Sequence, residues 1–329
     1  MSVMRIAELT DLDSMQAEGV KESVTAKMPR EYSGVGEALQ NTFLVNSTAP
    51  LAPASDSALQ QSGWPWKGHV DFNGVSMRYN PSSPLVVKNV SITVPSGSTL
   101  GIVGRTGSGK SSLLLTLFRL VEIEGEGSIT IDGVDIRSIS MRMLRNSLSI
   151  IPQSPVLFAG TVMYNLDATG KASEDDAWEA LEAASPELAQ QFRDGGTGLN
   201  TLISEGGENL SVGQRQLICL ARALLEKSKI LVLDEATSSV DTITDAQVQQ
   251  TIRKEFVDKG ASVITVAHRL DTVLAYDKIA VLDAGSLVEY GSPDDLLKIS
   301  NGFLRSLVDA DQKNKQKGAK RPAQSFAIS

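Results

Sequence analysis

Short alternating runs in the first third of the chain give way to fully apolar runs separated by helical periods. Between His69 and Pro95, β-branched segments divided by turn residues (Val70-Asp71-Phe72, Val75-Ser76-Met77, Val86-Val87, Val90-Ser91-Ile92-Thr93-Val94) predict an antiparallel β layer. Thr99-Leu100-Gly101-Ile102-Val103 reads as a buried strand, and Leu113-Leu114-Leu115-Thr116-Leu117-Phe118 as the start of an apolar helix. In 127–136, Asp132-Gly133 between alternating apolar residues predicts a hairpin, and Leu148-Ser149-Ile150-Ile151-Pro152 a further strand. Residues 174–193 read as helical, with Ala177, Leu181 and Ala184 on one face and Trp178 as packing. Ile230-Leu231-Val232-Leu233 and Val263-Ile264-Thr265-Val266-Ala267 are apolar throughout, as in parallel strands covered on both faces. Val248, Ile252 and Phe256 recur between them at i, i+4, i+8 and predict a crossover helix.

The flanks differ. Residues from about 9 to 63 hold no sustained period and are rich in Ser, Ala, Glu and Pro, with Thr48-Ala49-Pro50-Leu51-Ala52-Pro53-Ala54-Ser55 as the clearest linker. Order is expected from Trp64-Pro65-Trp66. Past Leu307 the chain turns polar and basic (Lys313, Lys315, Lys317, Lys320, Arg321), and 311–329 reads as a disordered, solvated tail. The length of 329 residues suits two domains, or one large α/β domain with tails. A net charge of −8 argues against a nucleic-acid surface. The one cysteine, Cys219, excludes an internal disulfide framework, fits a reducing compartment and reads as a small core hydrophobe. No run reaches the ~18–20 apolar residues that a spanning helix needs. The N-terminus has no apolar signal core, so the chain on its own reads as soluble.

Three patterns carry chemistry. Gly104-Arg105-Thr106-Gly107-Ser108-Gly109-Lys110-Ser111-Ser112 fits G-x-x-x-x-G-K-[ST] between the strand and the apolar helix, the context a phosphate-binding loop requires. Glycines let successive backbone N–H groups point inward as an anion nest. Lys110 supplies a charge for the β- and γ-phosphates, and the Ser111 hydroxyl a ligand for Mg²⁺. In Leu231-Val232-Leu233-Asp234-Glu235, an apolar strand ends in carboxylates at the sheet edge where ligands bind in open α/β folds. Asp234 would orient Mg²⁺ through its water shell, and Glu235 is placed to take a proton from an attacking water. In Leu210-Ser211-Val212-Gly213-Gln214-Arg215-Gln216, Ser211 and Gln214 have capping-box spacing. Capping leaves Gly213 unexplained, since glycine in a helix costs about 1 kcal/mol relative to Ala; close approach of a phosphate to the helix start would explain it.

The order of P-loop, Gln153, Leu-Ser-x-Gly-Gln, Asp-Glu and a strand-end His268 resembles the nucleotide-binding domain of an ABC (ATP-binding cassette) transporter, from about residue 64 to 308. Gly101–Ser112 and Glu208–Gln216 are similar to the second such domain of the C subfamily, the multidrug-resistance-associated group; Val212, where most cassettes carry glycine, is typical of it. The resemblance implies an α/β fold of the P-loop NTPase ABC ATPase type: a RecA-like core, an antiparallel β subdomain and a helical signature subdomain at about 154–226. It implies that Tyr79, 25 residues before Gly104, stacks on adenine, and that Gln153 reaches Mg²⁺ and the attacking water. In the same way His268 would contact the γ-phosphate, and Asp241 belong to a loop crossing to a partner cassette. Thr201–Gly207 looks like the loop that touches the coupling helices of exporters. His69 has no such context and reads as structural.

In this family two cassettes close head to tail over ATP, each P-loop facing the other's signature. One P-loop surrounds only part of a triphosphate; Leu210, Ser211, Val212, Gly213 and Gln214 can complete a charge shell only for another cassette. The expected activity is ATP hydrolysis that powers export, on the cytoplasmic face of a membrane and with transmembrane domains as partners. Those domains are not in this chain. Ser2-Val3-Met4-Arg5-Ile6 resembles the segment after the last membrane helix, so the chain reads as a C-terminal fragment with residues 1–63 as linker. A soluble non-transport ABC ATPase and a regulatory cassette that binds ATP without turnover stay open as alternatives. The transported substrate is not legible, because selectivity resides in membrane helices.

Overall fold

A computed structural model of the chain describes residues 55–234, 242–267 and 269–319. The expected antiparallel layer is a four-stranded sheet built from β1 (Val70–Met77), β2 (Val87–Val94), β4 (Ser128–Ile131) and β5 (Val134–Asp135), in the order β2-β1-β4-β5. The Asp132-Gly133 turn joins β4 to β5 as predicted. Behind it stands a six-stranded sheet, β12-β11-β3-β10-β9-β6, in which β3 (Thr99–Gly104), β6 (Ser149–Ile151), β9 (Ile230–Asp234), β10 (Ser262–Val266) and β11 (Lys278–Asp283) run parallel. The edge strand β12 (Ser286–Gly291) pairs antiparallel to β11. A short ribbon of β7 (Gly160–Thr161) and β8 (Leu202–Ile203) ties the helical region together.

The apolar runs without alternation are buried on both faces because successive side chains point to opposite sides. Ile230 and Val232 of β9, with Ile264 and Val266 of β10, pack toward the antiparallel sheet and the helix Lys110–Leu117. Leu231, Leu233 and Val263 face the other way, into the helical region, the crossover helix Thr242–Ile252 and the π-helical turn Arg253–Val257 that continues it, where Val248, Ile252 and Phe256 are all buried. A third cluster gathers Val103, Ile279 and Val281 with Leu296 and Leu304 of the C-terminal helices.

Three boundaries differ from the sequence reading. Asp56–Gln61 is helical ahead of Trp64, with Ser55 as its cap. The helix expected over 174–193 is two, Glu174–Ala184 and Pro186–Asp194. Pro186 disfavours the α region for Ser185, which lies extended at φ −162° and ψ 111°. The last helix, Phe303–Ala319, continues through residues 311–319, which the sequence reading placed in an unstructured tail. Trp178 and Cys219 pack in the second cluster as expected, and burial pushes the Cys219 thiol up from its ordinary value. His69 bonds to Asp71 at 2.8 Å. Among the described residues no helix is long and apolar enough to cross a membrane.

Candidate active site

Parallel topology brings the sequence motifs to one sheet edge. The P-loop follows β3, Asp234 ends β9, and Gln153 follows β6; β10 separates β3 from β9, pairing Val266 with both Ile102 and Asp234. Glu235 and His268 come directly after Asp234 and Ala267 in the chain but, with Asp241, lie outside the described residues.

The loop is shaped by its glycines. Gly104 has φ +153°, and a side chain there would overlap the Leu282 carbonyl oxygen of β11. Gly109 caps the P-loop helix in the left-handed region at φ +98°, and an added Cβ would sit 2.9 Å from the Val86 carbonyl. The carbonyl of Ser108 accepts the Gly285 N–H at 3.1 Å, so the turn between β11 and β12 buttresses the loop from behind. That support was missed; Asp283-Ala284-Gly285-Ser286 signalled a turn, and nothing local tied it to residue 108.

Lys110 is buried at 5% exposure, and its ammonium donates to the carbonyls of Gly104 (3.0 Å) and Arg105 (3.2 Å), folding it back over the loop. The Ser111 hydroxyl donates to Asp234 Oδ1 at 3.3 Å, joining the first turn of the P-loop helix to the end of β9. Tyr79 is 48% exposed, with its hydroxyl 2.8 Å from Ser112 Oγ. Its loop is braced by Arg78, which pairs with Glu124 at 2.7 Å and donates to the Ser83 carbonyl at 2.9 Å. Arg105, Thr106 and Gly107 form the exposed crest of the P-loop, and Gln153 is exposed beyond β6.

This arrangement fits a nucleoside triphosphate with a divalent ion. Backbone N–H groups at a helix N-terminus and a buried lysine meet the phosphates, and the Ser108 hydroxyl is buried without a partner. Ser111 and Asp234 offer the hard oxygen ligands that Mg²⁺ takes.

The signature helix, Val212–Glu226, starts in the predicted capping box: Ser211 Oγ accepts the Gln214 N–H at 3.1 Å, and Gln214 Oε1 accepts the Ser211 N–H at 2.9 Å. Two braces were not read from the sequence. Gln214 Nε2 donates to Gln191 at 2.8 Å, and Asn209 clasps the preceding loop through Ser204 and the Leu202 carbonyl. Leu210 and Gly213 are half-buried, whereas Ser211 and Val212 are exposed. The site residues therefore form two groups: the P-loop with Tyr79, Ser111 and Asp234, and the signature, whose hydrogen bonds stay within the helical region.

Residues 87–238 match the ABC transporter family model. The chain carries an ABC ATPase domain. The ABC domain is 50% identical over 252 residues to "ATP-binding cassette sub-family C member 2" of Rattus norvegicus, covering 76% of this chain and 16% of that protein. It is 49% identical over 262 residues to "ATP-binding cassette sub-family C member 3" of Mus musculus, covering 80% of this chain and 17% of that one. The chain thus spans about one-sixth of the length of these relatives. A solved bacterial Atm1-family ABC exporter with ATP bound superposes with a TM-score of 0.69 at 35% identity, over 75% of this chain and 42% of that chain.

Proposed function

We propose that this chain is the second nucleotide-binding domain of a C-subfamily ABC exporter, hydrolysing ATP in a head-to-tail pair with another cassette to drive transport. The observation that carries this reading is the contact between Ser111 and Asp234 beside the buried Lys110, with the capped signature turned outward. In this reading the cassette occupies 64–310, after a linker that follows the transmembrane domain, and works at the cytoplasmic face of the membrane.

The residue roles follow from the chemistry. Tyr79 offers an exposed ring for adenine stacking. Lys110 and the N–H groups of 105–112 hold the phosphates; Ser111, Asp234 and Gln153 hold Mg²⁺, which when bound neutralises charge on the β- and γ-oxygens. Glu235 takes the proton of the attacking water, and His268 donates to the γ-phosphate. Leu210, Ser211, Val212, Gly213 and Gln214 close the partner's ATP with backbone N–H groups and the helix dipole, and Asp241 crosses to the partner.

Glu235→Gln tests the assignment. With a partner cassette present, turnover is expected to fall at least about 100-fold while ATP stays bound, the scale of general-base removal. Unchanged turnover overturns the role of Glu235 and with it the hydrolytic reading; loss of ATP binding together with turnover would point to a structural role.

A further inference from the structure

A second cleft opens at the opposite edge of the core sheet. Ser147 lies just ahead of β6 and Lys229 just ahead of β9, so both mark N-terminal ends of strands whose other ends lead to Gln153 and Asp234. The cleft holds about 620 Å³ between the helix Asp56–Gln61, the helix Met141–Asn146 and the turn after the signature helix. That is a volume typical of small-molecule sites.

Its charge is unlike that of the molecule around it. Arg142, Lys171, Lys227 and Lys229 line it, against Asp56 and Glu226, in a chain of net charge −8. Both carboxylates are engaged: Asp56 Oδ1 accepts the Ser140 N–H at 3.1 Å, and Glu226 Oε2 accepts the Ser149 hydroxyl at 2.6 Å. Lys227 lies 3.7 Å from Asp176. Among the described residues Arg142, Lys171 and Lys229 have no carboxylate partner. The lining thus carries four cations against two carboxylates, and an excess of positive charge around one concavity concentrates anions there.

We propose that this cleft binds a small organic polyphosphate, with Arg142, Lys171 and Lys229 each meeting a phosphate group. Three unpaired cations and this volume exceed what one phosphate needs, and a guanidinium with ammonium groups is the donor set that phosphates take. An excess of cations within one cleft of an acidic chain favours a compact ligand over a nucleic acid, which needs a continuous basic face. The site is separate from the P-loop, because the two lie at opposite ends of the same strands.

Calorimetric titration of the full chain with inositol hexakisphosphate and with tripolyphosphate, at about 150 mM salt where exposed long-range attraction is screened, tests this. The expected result is saturable binding that survives Lys110→Ala and weakens at least about tenfold for each cation removed in Arg142→Gln, Lys171→Gln and Lys229→Gln. The tighter of the two probes then identifies a cyclitol or a linear phosphate as the source. Binding that disappears in Lys110→Ala and ignores the cleft variants belongs to the P-loop and overturns the proposal. So does the absence of saturable binding. Single Lys or Arg to Gln changes at exposed positions leave the fold intact; circular dichroism of each variant verifies it.

Discussion

Gly104 shows how far a single position can be constrained. Its φ of +153° and the Leu282 carbonyl against its Cα leave no room for a methyl group. Gly104→Ala is expected to destabilise the domain by about 1–3 kcal/mol and to abolish ATP binding, measured by urea unfolding and nucleotide titration; a variant with wild-type stability would contradict the packing. The glycine spacing was readable in the sequence. That the loop rests on Leu282 and Gly285 was not, because those residues belong to a strand and turn far along the chain that parallel pairing alone brings alongside. The Ser111–Asp234 contact has the same character: each residue type announced its chemistry, and the sheet order set their distance.

At the scale of elements, local signals were read where their partners were local. Ser211 and Gln214 form the capping box that their spacing announced. Ser211→Ala should cost about 1 kcal/mol of helix stability, seen as faster amide exchange at Val212–Gln214, and on the proposed pairing should lower the turnover of a partner cassette. Unchanged exchange would show that the Gln214–Gln191 bond alone holds the turn. The break at Ser185 was written in Pro186, yet periodicity alone joined the two halves. The last helix lay beyond local reading. Its first N–H groups, on Phe303 and Leu304, are accepted by the Glu289 carboxylate at 2.6 and 2.9 Å, a cap supplied from β12. Leu304, Leu307 and Val308 then pack it into the third cluster, while its lysines leave it polar in composition.

For the whole molecule, the two groups of site residues set the terms of activity. The signature makes its hydrogen bonds inside the helical region, and the P-loop makes its own with β9 and with the turn between β11 and β12. If a catalytic unit needs one of each from different cassettes, ATPase activity per chain should rise with concentration, or with an added partner cassette, and level off once pairing is complete. Constant specific activity over a hundredfold dilution would show that a single chain suffices. The sequence by itself determined the antiparallel layer, the strands β3, β6, β9 and β10, the capped start of the signature helix and the spacing of the P-loop, acid and signature patterns, because periodicity, glycine spacing and caps act over a few residues. Only the tertiary structure decided which strand neighbours which, what stands behind the P-loop, where the last helix is anchored and how cations from three separate stretches come to face one cleft. Those relations join residues far apart in the chain, and burial on both faces of the central sheet, which no short pattern encodes, is what fixes them.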